Sequence, residues 1–110
     1  MEDLFSYGTL QKIEVQIESF NRKLTGFSDC LSGYVVSKIK IMDEHVIKLS
    51  GTDLHPALIY TGNDDDKVSG VVYQVTKIEL VKADEYEVDD YKRVRVILSS
   101  GRNAWVYISD

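Results

Sequence analysis

The sequence predicts one α+β domain: a small, curved, mostly antiparallel, barrel-like β-sheet with two main helices. Three observations carry this. Apolar and polar residues alternate with period two in several short segments, clearest in Lys38-Ile39-Lys40-Ile41 and from Lys92 to Leu98. Helical spacing appears only near residues 11–24 and 77–87. Strands outnumber helices and do not alternate with them as a parallel βαβ sheet requires. With 110 residues, no internal repeat and no Pro/Gly linker, residues 1–110 read as a single domain around one core.

In chain order, Asp3 to Tyr7 reads as a first strand that ends at Gly8. Leu10, Ile13, Ile17, Phe20 and Leu24 then fall on one helical face, in a helix starting near Gln11 and closed by Lys23 to Gly26. Gly33 to Ile41 is a half-buried strand, and the polar stretch Met42 to Leu54 reads as an irregular loop with some extra structure. Pro56 opens the apolar run Ala57-Leu58-Ile59-Tyr60, which ends at Thr61-Gly62. Asn63-Asp64-Asp65-Asp66 is a turn; it lacks the alternating oxygens and terminal glutamate of a calcium loop. Val68 to Val75 is a strand. Thr76-Lys77-Ile78-Glu79 fits a capping box, where hydroxyl and carboxylate satisfy the first amides of a helix running to about Glu87. Lys92 to Leu98 and Asn103 to Ile108 pair as a hairpin through Ser99 to Arg102.

Composition narrows the function. The chain is 44% hydrophobic and 28% charged, as a folded domain should be. Its net charge of −5, without a cluster of basic residues, argues against a nucleic-acid surface and an anionic membrane surface. Apolar runs are too short to span a bilayer, and no basic-then-apolar segment precedes the first strand, so no signal peptide is expected. Cys30 stands alone and reads as a small buried hydrophobe; the expected compartment is the cytoplasm. His45 and His55 form no metal-ligand cluster with it, so neither a metal nor another cofactor is expected.

Two places depart from ordinary patterning. Tyr7-Gly8-Thr9-Leu10 follows an apolar strand directly. Its glycine allows a sharp turn and close approach of a ligand, and consecutive amides there can cradle a carboxylate. The bland alternative is a strand-to-helix turn with no ligand. On the first view, Gly8→Val should block ligand approach and leave much of the fold intact. The second place is Glu87, which shares a helical face with Leu80, Ala83 and Asp84. Leu80 and Ala83 turn that face inward, and burial raises a carboxyl toward the range useful for proton transfer. The bland alternative is a solvated glutamate among Asp84, Glu85, Asp89 and Asp90. Arg93 and Arg95, alternating on one strand, read as a solvated or salt-bridged face.

Together these segments resemble the γ-glutamylcyclotransferase-like family, also called AIG2-like. Leu4 to Leu10 is similar to its opening strand and Tyr-Gly-Ser/Thr-Leu loop. Pro56-Ala57-Leu58, Val68 to Val75, Ala83-Asp84-Glu85-Tyr86-Glu87, Tyr91 to Val96 and Ala104 to Ile108 follow in the family's order. The chain departs from the pattern at Gln11-Lys12, at Ala83 in place of leucine, and at Val88, where glycine is common.

The resemblance implies an intramolecular aminolysis. A γ-glutamyl substrate's own α-amine attacks its side-chain carbonyl, giving 5-oxoproline and a free amine. Preorganised groups of this kind reach effective molarities on the order of 10⁵ M. Only proton movement is left to the protein, and the resemblance assigns that to Glu87. It also assigns substrate binding to Tyr7, Gly8, Thr9 and Leu10, with a hydroxyl from Tyr107 and, more weakly, Tyr91. The expected partner is the small-molecule substrate, and the expected state a monomer or weak homo-oligomer. A non-catalytic ligand-binding or protein-interaction module on the same fold, or a domain appended to an amidase-type enzyme, are the alternatives.

Overall fold

A computed structural model describes residues 1–40, 44, 48, 54–86 and 91–109, with the backbone alone at 39, 40, 54, 55, 86 and 109. The described elements are β1 (Glu2–Ser6), a 3-10 turn (Thr9–Gln11), α1 (Ile13–Phe20), β2 (Gly26–Ser32), β3 (Tyr34–Lys40), β4 (Leu54–Tyr60), β5 (Lys67–Val75), α2 (Lys77–Tyr86), β6 (Tyr91–Ile97) and β7 (Asn103–Ser109). Five strands form one sheet in the order β2-β5-β1-β7-β6, and β3 pairs with β4 separately. All pairings are antiparallel except β1 with β7, which run parallel with Leu4 opposite Trp105.

Strand alternation gives the central sheet two apolar faces. On one, Leu4, Tyr73, Val75 and Tyr107 pack against Phe20 and Leu24 and against Leu80 and Ala83 of α2. On the other, Phe5, Val72, Leu31, Ala104 and Val106 pack with Leu58 of β4. The sheet is therefore sandwiched between helices and the β3–β4 hairpin. Fully burying a side chain such as Phe5 or Leu58 contributes about 1.5–3 kcal/mol, and both are at most 2% exposed.

The capping box at Thr76 forms as expected. The Thr76 amide donates to Glu79 Oε1 (2.9 Å), and the Glu79 amide donates to Thr76 Oγ1 (3.1 Å). Arg22, just beyond α1, grips the same carboxylate through Nε and Nη2, each at 2.7 Å. This bidentate bond holds Glu79 down at about 2, against the opposing effect of burial. The Asn63 turn also forms, with the Asp65 amide bonded to Asn63 Oδ1 at 2.9 Å.

Three expectations are corrected. The sheet does not close into a barrel among the described residues: its ladder ends at β2 and β6. Curvature brings the β6–β7 turn to β2, where the Ser99 amide donates to the Cys30 carbonyl (2.8 Å). Second, α1 presents a different face. Ile13 and Ile17 are about half exposed, while Val15, Gln16 and Phe20 are buried. Gln16 turns inward because it bridges two backbone groups, donating to the Leu10 carbonyl and accepting from the Leu24 amide, both at 2.8 Å. Third, β2 goes beyond the strands expected from sequence. It is an edge strand whose first three residues are exposed, so no alternation marks it. The expectation for Met42 to Leu54 falls almost wholly outside the described residues.

Candidate active site

Because β1 and β7 run parallel, the loop after Ser6 emerges beside the end of β7. There the Tyr7 hydroxyl donates to the Tyr107 carbonyl at 2.5 Å. Gly8 lies directly against Pro56 of β4; a Cβ on Gly8 would meet Pro56 Cγ at 2.7 Å. The chain then tightens into the 3-10 turn, with the Gln11 amide on the Gly8 carbonyl (3.1 Å) and the Lys12 amide on the Thr9 carbonyl (2.9 Å). The Gln11 side chain caps the Ser6 carbonyl at 2.8 Å. The amides of Thr9 and Leu10 have no acceptor among the described residues, as expected at the start of such a turn.

Beside this loop, α2 and the β6–β7 hairpin enclose an open pocket of about 340 Å³ lined by Asp84, Tyr91, Arg93, Trp105 and Tyr107. The register explains the lining. Arg93 sits opposite Tyr107 and Arg95 opposite Trp105, so all four project on the helix side of the sheet. On α2, Leu80 and Ala83 are buried, and this carries Asp84 to the hairpin. Asp84 Oδ1 accepts from the Tyr107 hydroxyl (2.7 Å) and from Arg93 Nε (2.8 Å), and Oδ2 accepts from Arg93 Nη2 (3.0 Å).

Trp105 is the pocket's apolar wall. The guanidiniums of Arg93 and Arg95 lie 4.3 Å and 4.8 Å from its ring, within cation–π range. Its Nε1–H is buried without a partner. Tyr91 donates its hydroxyl to the Pro56 carbonyl at 2.8 Å. Pro56 therefore touches the loop at Gly8 and the pocket at Tyr91. Beneath the site, burial pushes the Tyr73 phenol above its ordinary value, while the bond to Gln16 acts the other way.

The structure thus brings together Tyr7, Gly8, Thr9, Leu10 and Tyr107. The first four are half-buried and Tyr107 is buried. Glu87, expected to move the proton, lies outside the described residues, one position beyond the end of α2. Tyr107 commits its hydroxyl proton to Asp84. Sequence reasoning missed Asp84 and Trp105 as pocket residues; of Arg93 and Arg95, read as a solvated or salt-bridged face, Arg93 does form a salt bridge, with Asp84, and both stack on Trp105. The available signal was the hairpin register, which sets Arg95 across from Trp105 and Arg93 across from Tyr107 on the same face.

A family model described as "Gamma-glutamyl cyclotransferase, AIG2-like" matches residues 4–110. No curated protein matches the chain. Among solved structures, an Arabidopsis thaliana protein determined in solution is 23% identical, with a TM-score of 0.72 over 98% of this chain and 61% of its own. A chain named gamma-glutamyl cyclotransferase is 17% identical, with a TM-score of 0.72 over 99% of this chain and 66% of its own. Kluyveromyces lactis allophanate hydrolase is 18% identical, with a TM-score of 0.72 over 99% of this chain and 17% of its own. At these identities the likeness is one of fold. The chain spans about three fifths to two thirds of the first two.

Proposed function

The chain belongs to the gamma-glutamyl cyclotransferase, AIG2-like family, and from that premise we propose that it cyclises a γ-glutamyl amine to 5-oxoproline with release of the amine. The substrate's α-amine attacks its own side-chain carbonyl. A ring C–N bond forms, the C–N bond to the leaving amine breaks, and the two protons the attacking ammonium loses on becoming the ring N–H end on the leaving nitrogen, which departs as an ammonium. Glu87 is the group assigned to this proton movement, first as base and then as acid. The Gly8, Thr9 and Leu10 amides are assigned the substrate carboxylate, with Tyr7 and Tyr107 as walls.

One observation carries this reading. The Thr9 and Leu10 amides lack an acceptor among the described residues, and their loop is tied through Tyr107 to Asp84, in the helix that leads in sequence to Glu87. A donor pair and a carboxylate are the two parts this aminolysis needs from a protein. No enzyme nucleophile is required, because the attacking nitrogen belongs to the substrate.

The test is to incubate the protein with a panel of γ-glutamyl amines and amino acids and to measure 5-oxoproline. Turnover of at least one member, abolished by Glu87→Gln, supports the reading. Binding of a γ-glutamyl compound or of 5-oxoproline without turnover of any member replaces it with the non-catalytic module.

A further inference from the structure

Arg95 touches the pocket's indole wall and has no counter-charge among the described residues. Its cross-strand partner is Trp105, and its guanidinium lies 4.8 Å from the ring centroid. Among the described residues it makes no ion pair and no hydrogen bond. Arg93 shares the same ring at 4.3 Å, but its charge is met by two bonds to Asp84. Two guanidiniums and one carboxylate therefore leave this wall with a single excess positive charge, in a chain whose net charge is −5. The other residues lining the pocket, Tyr91, Trp105 and Tyr107, are aromatic.

We propose that Arg95, held on Trp105, is the recognition residue of a monocarboxylate site: it pairs with the carboxylate of a small ligand whose flat body lies in the pocket. This is a second carboxylate site, apart from the one assigned to the Gly8, Thr9 and Leu10 amides, and binding there needs neither turnover nor Glu87. The chemistry favours a carboxylate. A guanidinium presents parallel N–H donors that match its two oxygens. Exposed ion pairs are weak largely because two long side chains must be ordered to form them. Stacking on the indole orders Arg95 in advance, which lowers that cost. The single excess charge suits a monoanion. A phosphate dianion would bring a second negative charge close to Asp84, with Arg93 already engaged. Trp105 and Tyr91 offer aromatic surface to a flat amide or ring, and a volume of about 340 Å³ falls within the range of small-molecule sites.

Trp105 is the only tryptophan in the chain, so its emission reports this wall directly. The whole chain is titrated with hippurate, a flat aromatic amide bearing one carboxylate, with its neutral counterpart hippuramide, and with inorganic phosphate. Hippurate should change the emission saturably, hippuramide should bind about 10-fold or more weakly, and phosphate at equal concentration should not displace hippurate. Arg95→Gln should weaken hippurate by about 10-fold or more. Arg95→Lys should fall between, because it keeps the charge and loses the fork. Arg95 is exposed, so both variants leave the core untouched. Arg102→Gln removes an equal charge from the pair with Asp3 and should keep hippurate binding within about twofold of wild type. Absence of a saturable response to hippurate overturns the proposal. Equal binding of acid and amide, or unchanged binding in Arg95→Gln, does the same. Displacement by phosphate would make the wall a general anion patch, and an equal loss in Arg102→Gln would trace the effect to net charge; either removes the monocarboxylate site.

Discussion

Gly8 lies so close to Pro56 that a Cβ on the glycine would sit 2.7 Å from the proline Cγ. The sequence points to a ligand as the reason for this glycine, but the neighbour in the structure is the protein itself. Gly8→Val therefore cannot serve as a clean block of ligand approach, because the first added carbon already strikes β4. Gly8→Ala should destabilise the fold by about 1–3 kcal/mol. Pro56→Ala removes the offending Cγ, so the double variant should recover about 1 kcal/mol or more relative to additivity. Urea unfolding of the four proteins measures this coupling. Strict additivity would show that the contact is not what constrains Gly8.

Gly70 is constrained more severely. An added Cβ would press on the Ser6 carbonyl and lie 2.6 Å from Phe5 Cζ. Neither can yield easily, since Ser6 is ladder backbone opposite Val71 and Phe5 is 1% exposed. Gly70→Ala should cost about 3 kcal/mol, the upper end for overpacking a well-packed site. A thermal melt within a degree or two of wild type would refute this.

Legibility in the sequence followed how directly a residue's chemistry sets its own position. Thr76 and Glu79 are local, three residues apart, and their capping box forms as read. The β6–β7 hairpin is also local, and its register runs from Tyr91–Ser109 to Ile97–Asn103. Burial on α1 was not legible, because Gln16 is drawn inward by Leu10 and Leu24 on either side of the helix, a demand no hydrophobic pattern displays. Likewise β2 is hidden because an edge strand can leave most side chains in water. The Tyr7–Leu10 loop was found through its motif. The pocket's Asp84 and Trp105 depend on a helix docking against a distant hairpin, and spacing within either segment does not encode that.

The Arg22–Glu79 pair should leave a signature in acid. The folded Glu79 carboxyl is depressed to about 2 from an ordinary value of 4.5. A depressed carboxylate contributes stability above its unfolded pKa and loses it as pH falls through the folded one, here from about 4.5 down to about 2. Because Arg22 is 39% exposed at its side chain, screening reduces the contribution to about 2 kcal/mol. Glu79→Gln should therefore be less stable than wild type by about that much at pH 7, with the gap closing progressively toward pH 2. Denaturant unfolding at a series of pH values measures it. A gap that stays constant from pH 7 to pH 2 would mean the ion pair is not its source.

The prediction that bears most on function concerns Glu87. In the proposed reaction the attacking ammonium must lose two protons and the leaving nitrogen must gain two, and no other carboxylate is assigned to that exchange. Glutamine keeps the side chain's size and its ability to hydrogen-bond, but it cannot carry the proton. Positioned acid–base groups are worth typically 10²–10⁴-fold, so Glu87→Gln should lose about that much in kcat. The loop amides that would bind the carboxylate belong to Gly8, Thr9 and Leu10 and are untouched by the change, so the Kd for 5-oxoproline should stay within about threefold. Isothermal titration with 5-oxoproline and rate measurements on one preparation separate the two effects. Equal rates in wild type and variant would remove Glu87 from the mechanism. A parallel loss of binding and rate would instead make Glu87 part of the binding surface rather than the proton carrier.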